Sequence, residues 1–364
     1  MNGLVLTHKG IEDVSAKEIT QIIDAKNIVI KPGKVFFTFE KNIELATLCY
    51  FGRTFTKTIQ VLAQIKFEDK PETTQMPDLK EYLAERALIT CERKGEHPFT
   101  SYDLEQEFNK WLAEKYNVAV DRRNPQTIIH IDIQDDECVI GIDYSGIDLG
   151  KRDYRIFLGT DALKGNIAAA LLFIADYESK QALLDPFCRH GIIPIEAALY
   201  STNTSPHKFG KEKLAFTKLP NVKLDVKDEE KEFKGTIIAM DDNFKHVSAT
   251  RKNAKIAGIV KEVEFSRKDL QWLDAKFGKN FLDRIITLPI QPGRMLDEKR
   301  AEKIYHEFFY QAEFILKKTG KILLVMKRGI DLVKKKAAEF KFTLEHERKV
   351  MQGEEELIVL VFGR

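Results

Sequence analysis

Short apolar runs alternate with helix-spaced apolar positions along the whole chain, and the order of that alternation divides it. Leu4 to Leu6 is a short apolar strand, and Ile11, Val14, Ile19, Ile22 and Ile23 recur at the spacing that lines one helix face. Ile28 to Ile30, a Lys31-Pro32-Gly33-Lys34 turn and Val35 to Phe39 read as a hairpin, with Ile43 to Phe51 helical and Thr58 to Ile65 extended. The order is βαββαβ, a ferredoxin-like unit over 1–65. Lys66 to Asp78, rich in charge, Thr and Pro, reads as a linker or exposed loop. Helices over Leu79 to Ile89 and Tyr102 to Tyr116, then strands over Ile128 to Ile133 and Cys138 to Asp143, fill a second region, 66–155.

From about Ile156 strands and helices alternate singly. Ala182 to Leu184, Thr236 to Met240, Val263 to Phe265, Arg284 to Thr287 and Lys321 to Val325 are short apolar runs separated by helical stretches such as His246 to Ile256 and Ala301 to Leu316. That alternation predicts a doubly wound parallel sheet over 156–364. Phe342 to Val350 and Glu356 to Phe362, split by Gln352-Gly353-Glu354, predict a closing antiparallel hairpin. Residues 201–235 interrupt the pattern as a Lys- and Glu-rich insertion. It reads as a partly ordered surface excursion with Leu214-Ala215-Phe216 as its apolar anchor.

Composition narrows the function classes. With 58 basic and 56 acidic side chains the formal charge is +2, so a nucleic-acid surface has to come from local clustering. Cys49, Cys91, Cys138 and Cys188 lie far apart with no CxxC pair, which argues against a disulfide framework or zinc knuckle and suits a reducing cytoplasm. No charged-then-apolar leader and no apolar run of about 18 residues is present, so the expectation is a soluble protein. The histidines show no metal-ligand spacing, and no GxSxG elbow or P-loop lysine occurs.

The stretch ALLDPFCRHGIIPIEAAL, Ala182 to Leu199, carries the most chemistry. A strand runs into a tight turn and then a helix, where free backbone N–H groups and the positive helix end converge on a crevice suited to a nucleotide-type cofactor. Ligands of open α/β sheets collect at the carboxyl ends of the central strands. That topology gathers Asp185 with Arg189, His190 and Gly191 from the first strand end, Asp241 from the second as an acceptor for ribose hydroxyls, and Asp269 from the third, facing an adenine amine or capping a helix. Cys188 is expected to pack beneath the turn.

DPFCRHGIIPIEAAL resembles the DPFCGSGTIPIEAAL signature of the THUMP-containing RNA methyltransferases that modify guanine N2 in tRNA or 23S rRNA. The likeness covers nearly the whole chain. THKGIEDVSAKEI, LATLCYFGRTFTKTIQVLAQIKFED, RRNPQTIIHIDIQDDECVIGIDYSGIDLGKRDYRI, LAFTKLP, IIAMDDNFKHVSATRKNAKIAG and the RKVMQG tail are each similar to segments of that family. The resemblance implies an N-terminal ferredoxin-like plus THUMP α+β module joined to a Rossmann-like class I methyltransferase domain that uses S-adenosylmethionine. Asp185 and Gly191 match its cofactor turn, Asp241 its ribose acid and Asp269 its adenine contact. Arg189 and His190 stand where the family has small residues, and the first of them is expected to project toward the methionine moiety. The target-base motif falls on Leu288, Pro289, Ile290 and Gln291, which offer neither the family's side-chain acceptor nor its aromatic.

An RNA surface is expected on Arg122, Arg123 and Asn124 and on Lys151, Arg152, Tyr154 and Arg155, basic runs that suit phosphate contacts and stacking, with Lys9 and Arg53 at its edge. Two outcomes stay open. One is a methyltransferase making N2-methylguanosine, with tRNA favoured over rRNA. The other is a non-catalytic RNA-binding protein that keeps the fold as scaffold, a partner of an active methyltransferase.

Overall fold

Near-continuous burial along Thr127–Gln134 and Glu137–Asp143, and alternate burial along Arg86–Lys94, mark strands of the first of two units, which comprises Met1–Thr7, Ser15–Leu149 and Gly210–Lys227. The second comprises His8–Val14, Gly150–Phe209 and Asp228–Arg364. The protein is known here from a computed structural model that describes residues 1–159, 162–220, 226–294 and 296–364. Among the described residues no helix is long and apolar enough to cross a membrane.

In the first unit β1 (Asn2–Thr7), β2 (Lys26–Lys31), β3 (Lys34–Thr38) and β4 (Phe55–Lys66), with α1 (Glu12–Ile22) and α2 (Asn42–Phe51), make the expected βαββαβ arrangement. β5 (Arg86–Lys94), α3 (Ser101–Tyr116), β6 (Ala119–Val120), β7 (Thr127–Gln134) and β8 (Glu137–Asp143) follow. All eight strands share one sheet in the order β2-β3-β1-β4-β8-β7-β5-β6, so both N-terminal regions meet along the antiparallel β4–β8 pair.

The helix expected over Leu79 to Ile89 does not form. Ala87, Ile89 and Cys91 point inward at alternate positions of a strand that pairs in parallel with β7. Asn109 of α3 fixes that strand, accepting from the Ile89 N–H at 2.9 Å and donating to its carbonyl at 2.8 Å. Sheet pairing and the inward row outweigh the helix propensity of the Ala-Glu-Arg-Ala stretch.

The expected insertion is more ordered than a surface excursion. Single helical turns over Lys208–Lys213 and Ala215–Thr217 bracket Leu214, and Leu214, Phe216, Leu219 and Val226 are buried in the core of the first unit. Residues 221–225 of the insertion lie outside the described residues.

The second unit holds α4 (Gly165–Ile174), β9 (Ala182–Asp185), α5 (Ile192–Ser201), β10 (Thr236–Asp241), α6 (Phe244–Ile256), β11 (Glu264–Arg267), α7 (Leu273–Lys276), β12 (Leu282–Thr287), α8 (Glu298–Ile315), β13 (Leu316–Met326), α9 (Ile330–Glu339), β14 (Thr343–Gln352) and β15 (Glu355–Gly363). Its sheet order is β11-β10-β9-β12-β13-β15-β14. The first five strands are parallel, and the β14–β15 hairpin closes the sheet with β15 antiparallel to β13 and β14 antiparallel to β15. Order reverses between β9 and β12, which places a crevice at the carboxyl ends of β9, β10 and β12.

Phe216 is 1% exposed, so Phe216→Ala should lower the stability of the first unit by about 3–5 kcal/mol. Denaturant unfolding of the full chain, followed by a probe in that unit, measures it; a loss under about 1 kcal/mol would contradict the anchoring role.

Candidate cofactor crevice

β9 ends at Asp185 and the chain turns into α5 through two left-handed residues, Arg189 at φ 49° and Gly191 at φ 79°. Gly191 has a second reason to lack a side chain, since a Cβ there would lie 2.3 Å from Thr250 Cγ2. Arg189 is tied at three points. Its N–H donates to Asp241 Oδ2 at 3.1 Å, its carbonyl accepts from the Thr250 hydroxyl at 3.1 Å, and its Nη2 donates to the Pro289 carbonyl at 3.3 Å. The guanidinium therefore crosses from the end of β9 to the loop after β12.

Arg189 borders two cavities. On one side Asp185, Phe187, Cys188, Arg189, Ile192 and Leu288 are among the residues around a pocket of about 30 Å³, room for about two water molecules. On the other, a cleft of about 430 Å³ is bordered by Phe187, Arg189, His190, Asp241, His246 and Ile290 among others. The His190 carbonyl accepts from Asn253 Nδ2 at 2.9 Å.

Asp185 and Asp241 do different work. Asp185 is 2% exposed, and its Oδ1 accepts from the Thr287 hydroxyl at 2.6 Å and the Phe187 N–H at 3.3 Å. Burial pushes its pKa up to about 7; the charge of Asp241 adds to the rise and the two hydrogen bonds oppose it. Asp241 accepts on both oxygens: from Arg189 N–H on Oδ2, and from the Asn243 N–H at 3.0 Å and His246 Nδ1 at 2.9 Å on Oδ1. Beside it, burial and then the charge of Asp241 raise the pKa of Asp242.

Asp269 does not border either cavity. It caps the helical turn Leu270–Trp272, its side chain accepting from the Gln271 N–H, so its observed contact is the capping alternative. In the loop after β12, Leu288 is buried, and the Ile290 carbonyl accepts from the Tyr305 hydroxyl at 2.8 Å. Gln291 is spent on the end of β13: Nε2 donates to the Val325 carbonyl at 3.1 Å, and Oε1 accepts from the Lys327 and Arg328 N–H groups at 2.7 and 3.0 Å.

The two basic runs separate. Arg122, Arg123 and Asn124 are exposed on a turn held by Asp121, whose Oδ1 accepts from the N–H groups of Arg123 and Asn124. Lys151 is exposed and Arg155 half-buried, whereas Arg152 and Tyr154 are buried, which corrects the expectation that they face RNA. The cause is Glu196, fully buried in apolar α5: Arg152 Nε donates to its Oε1 at 2.8 Å, Nη2 to its Oε2 at 3.4 Å, and the Tyr154 hydroxyl to Oε1 at 2.8 Å. A carboxylate in that core has to be paired. Arg53, expected at the edge of the surface, is also buried.

Sequence reasoning missed Thr287, His246 and Tyr305. A signal exists for the first two: Thr287 is a polar residue closing an apolar strand as Asp185 does, and His246 stands five residues past Asp241, inside the first turn of α6.

Because the folded state raises the Asp185 pKa, the stability tied to its neutral form is complete below about pH 4 and is lost as pH rises toward 7, by at most about 1.4 kcal/mol per pH unit. Asp185→Asn keeps the acceptor for Thr287 and removes that loss, so the variant should gain stability relative to the parent between pH 4.5 and 7.5. Parallel stability curves across that window would sink the assignment.

Comparison with known proteins agrees with this architecture. Residues 152–357 match the family described as RMKL-like, methyltransferase domain, and residues 72–143 match the THUMP domain. The tRNA (guanine(6)-N2)-methyltransferase of Methanocaldococcus jannaschii is 28% identical over 376 residues, covering 97% of each chain. Among solved structures, TrmN from Thermus thermophilus superposes with a TM-score of 0.77 at 22% identity, over 100% of this chain and 99% of that one. SMU.472 complexed with SAH gives 0.79 at 20% identity, over 100% and 98%. These two share the fold. The matched span of 152–357, more than half of the chain, makes this protein a member of the RMKL-like methyltransferase domain family, with a THUMP domain preceding it.

Proposed function

We propose that this protein binds structured RNA, tRNA in preference to ribosomal RNA, through its THUMP-containing unit, and that its methyltransferase-type unit serves as a scaffold that neither holds S-adenosylmethionine nor transfers a methyl group. The observation that carries the second half is the Arg189 side chain. S-adenosylmethionine needs a continuous crevice, because its methionine chain and its adenosine lie on opposite sides of the sulfonium. Here Arg189 divides the crevice, and about 30 Å³ cannot take the methionine chain. Opening it breaks the guanidinium bond to Pro289, an interaction of a class worth about 1.5–3 kcal/mol, which alone weakens cofactor binding roughly tenfold to a hundredfold. The ribose acid, Asp241, already accepts three hydrogen bonds.

The target side lacks its chemistry too. Amine methylation needs a nitrogen lone pair aimed at the methyl group and an acceptor to orient the amine. Leu288 and Ile290 offer no side-chain acceptor, and the amide of Gln291 is bound to backbone.

The RNA half rests on the THUMP match and on the exposed Arg122, Arg123 and Asn124 of that unit. Preference for tRNA follows the Methanocaldococcus jannaschii relative, a tRNA methyltransferase that pairs with this chain from end to end. Four free, buried cysteines suit a cytoplasmic setting.

Calorimetric titration of S-adenosylmethionine into the full-length protein, with and without bulk tRNA, should give no saturable heat. Arg189→Gly combined with His190→Ser frees the crevice and suits a left-handed position that costs a non-glycine residue about 1–2 kcal/mol, so that variant should bind the cofactor at least about tenfold more tightly than the parent. Saturable binding to the unmodified protein, together with methyl incorporation into tRNA, would replace this reading with an active methyltransferase.

A further inference from the structure

The first unit contains a polar site that the methyltransferase-type unit has no part in. One face of its sheet carries Thr90 on β5, His130 on β7, Asp143 at the end of β8 and Lys57 on β4, and these border a cleft of about 530 Å³. That size lies in the range of small-ligand sites. Thr90 and His130 are register partners in the β5–β7 ladder, and the Thr90 hydroxyl lies 3.0 Å from His130 Nδ1. His130 is 1% exposed, and its other ring nitrogen, Nε2, has no hydrogen-bond partner among the described residues. A buried imidazole left half-satisfied is costly, and a ring that served packing alone would be replaced by an apolar one at no loss.

The neighbouring charges are fixed rather than loose. Lys57 Nζ donates to Asp143 Oδ2 at 2.9 Å, and Asp143 Oδ1 accepts from the N–H groups of Ser145 at 2.7 Å and Gly146 at 3.1 Å. Burial, then Lys57, keeps His130 neutral by lowering its pKa. Asp143 takes one of the three donors that the Lys57 ammonium carries.

The rim is basic and is completed by the stretch that returns to this unit. Leu214 and Phe216 are buried, Ala215 N–H donates to the Ser145 carbonyl at 3.1 Å and Phe216 N–H to the Tyr144 carbonyl at 2.9 Å. Lys213 and Lys218 flank those anchors, and Lys218 Nζ donates to Asn124 Oδ1 at 3.1 Å, beside Arg122 and Arg123. Five of the side chains bordering the cleft are basic and three are acidic, so it favours an anion.

We propose that this cleft binds one nucleotide, its phosphate at the rim with Arg122, Arg123 and Lys218 and its polar base edge against His130 Nε2 and Lys57. The proposal rests on the RNA-binding reading above and goes further by placing a base-reading pocket in the sheet. The nucleotide can come from an RNA strand or be a free mononucleotide.

The test uses the full-length protein, its affinity for fluorescently labelled bulk tRNA measured over a series of salt concentrations, and calorimetry with each of the four nucleoside 5′-monophosphates. His130→Leu should weaken tRNA binding roughly tenfold with the salt slope unchanged, and His130→Gln, which keeps a hydrogen-bonding edge, should recover most of that loss. Arg122→Ala with Arg123→Ala should weaken binding and reduce the slope of log affinity on log salt by about 1 to 2. Thermal melts check that each variant folds. The unmodified protein gives a second readout: tRNA containing 4-thiouridine should photocrosslink within residues 88–92 or 128–130.

Mononucleotide binding lost in His130→Leu would support the cleft with a free nucleotide as ligand; tRNA binding alone, with the same loss, supports it with a strand. Binding of both tRNA and mononucleotides left unchanged by His130→Leu, or tRNA crosslinks confined elsewhere together with no His130-dependent mononucleotide binding, would overturn the cleft and leave the RNA-binding reading intact. Absence of binding to both tRNA and mononucleotides would overturn both.

Discussion

The turn between β9 and α5 holds the second unit's crevice together, and it does so through the backbone of Arg189. A residue with a Cβ resists the left-handed region, at a cost of about 1–2 kcal/mol. The fold offsets that cost with bonds made only in this conformation: the N–H to Asp241, the carbonyl from Thr250 and the guanidinium to Pro289. Each reaches a different element, β10, α6 and the loop after β12. Of these three bonds the two backbone ones hold the turn, and the guanidinium one reaches across to the loop after β12, so the conformation of the turn and the position of that side chain are set together.

Two buried polar groups illustrate how a structural role differs from a binding one. Around Glu196 the carboxylate is matched by Arg152 and Tyr154, whose side chains are as hidden as its own, and the group faces α4 through Gly165, where a Cβ would lie 2.4 Å from Arg152 Cγ. Nothing is left over, as expected of an ion pair that serves the core. Around His130 the ion pair of Lys57 and Asp143 is also well matched, yet one buried imidazole nitrogen is left over in a residue that borders a cleft. Satisfaction separates these cases; charge and burial alone do not.

Much of the fold was legible because hydrophobic period and topology agree. The βαββαβ order, the alternation after Ile156 and the closing hairpin all come from short runs bounded by turn residues, and Asp185, Gly191 and Asp241 were placed by the rule that strand ends converge. Failures came where one-dimensional pattern competes with long-range pairing. Leu79 to Ile89 carries helix-forming residues, but its last part is a strand because β7 lies beside it and Asn109 binds its backbone. Arg152 and Tyr154 looked like surface because charge in a run is usually solvated, and only the fold brings Glu196, forty-odd residues on, beneath them. His130 had a visible sign, a polar residue amid the apolar β7 run, but its meaning depends on what β4 and β8 set beside it.

The departures at Arg189 and at Leu288 to Gln291 read in sequence as two separate losses, on two strand ends. In the folded chain they are one arrangement. Arg189 needs an acceptor across the crevice, and the Pro289 carbonyl serves only if the loop after β12 is held still. Tyr305 holds it at Ile290, and Gln291 holds it at Val325, Lys327 and Arg328. Ile290 and Gln291, which stand in the segment that resembles the target-base motif, are also the residues through which that carbonyl is held, so the two departures meet at Pro289.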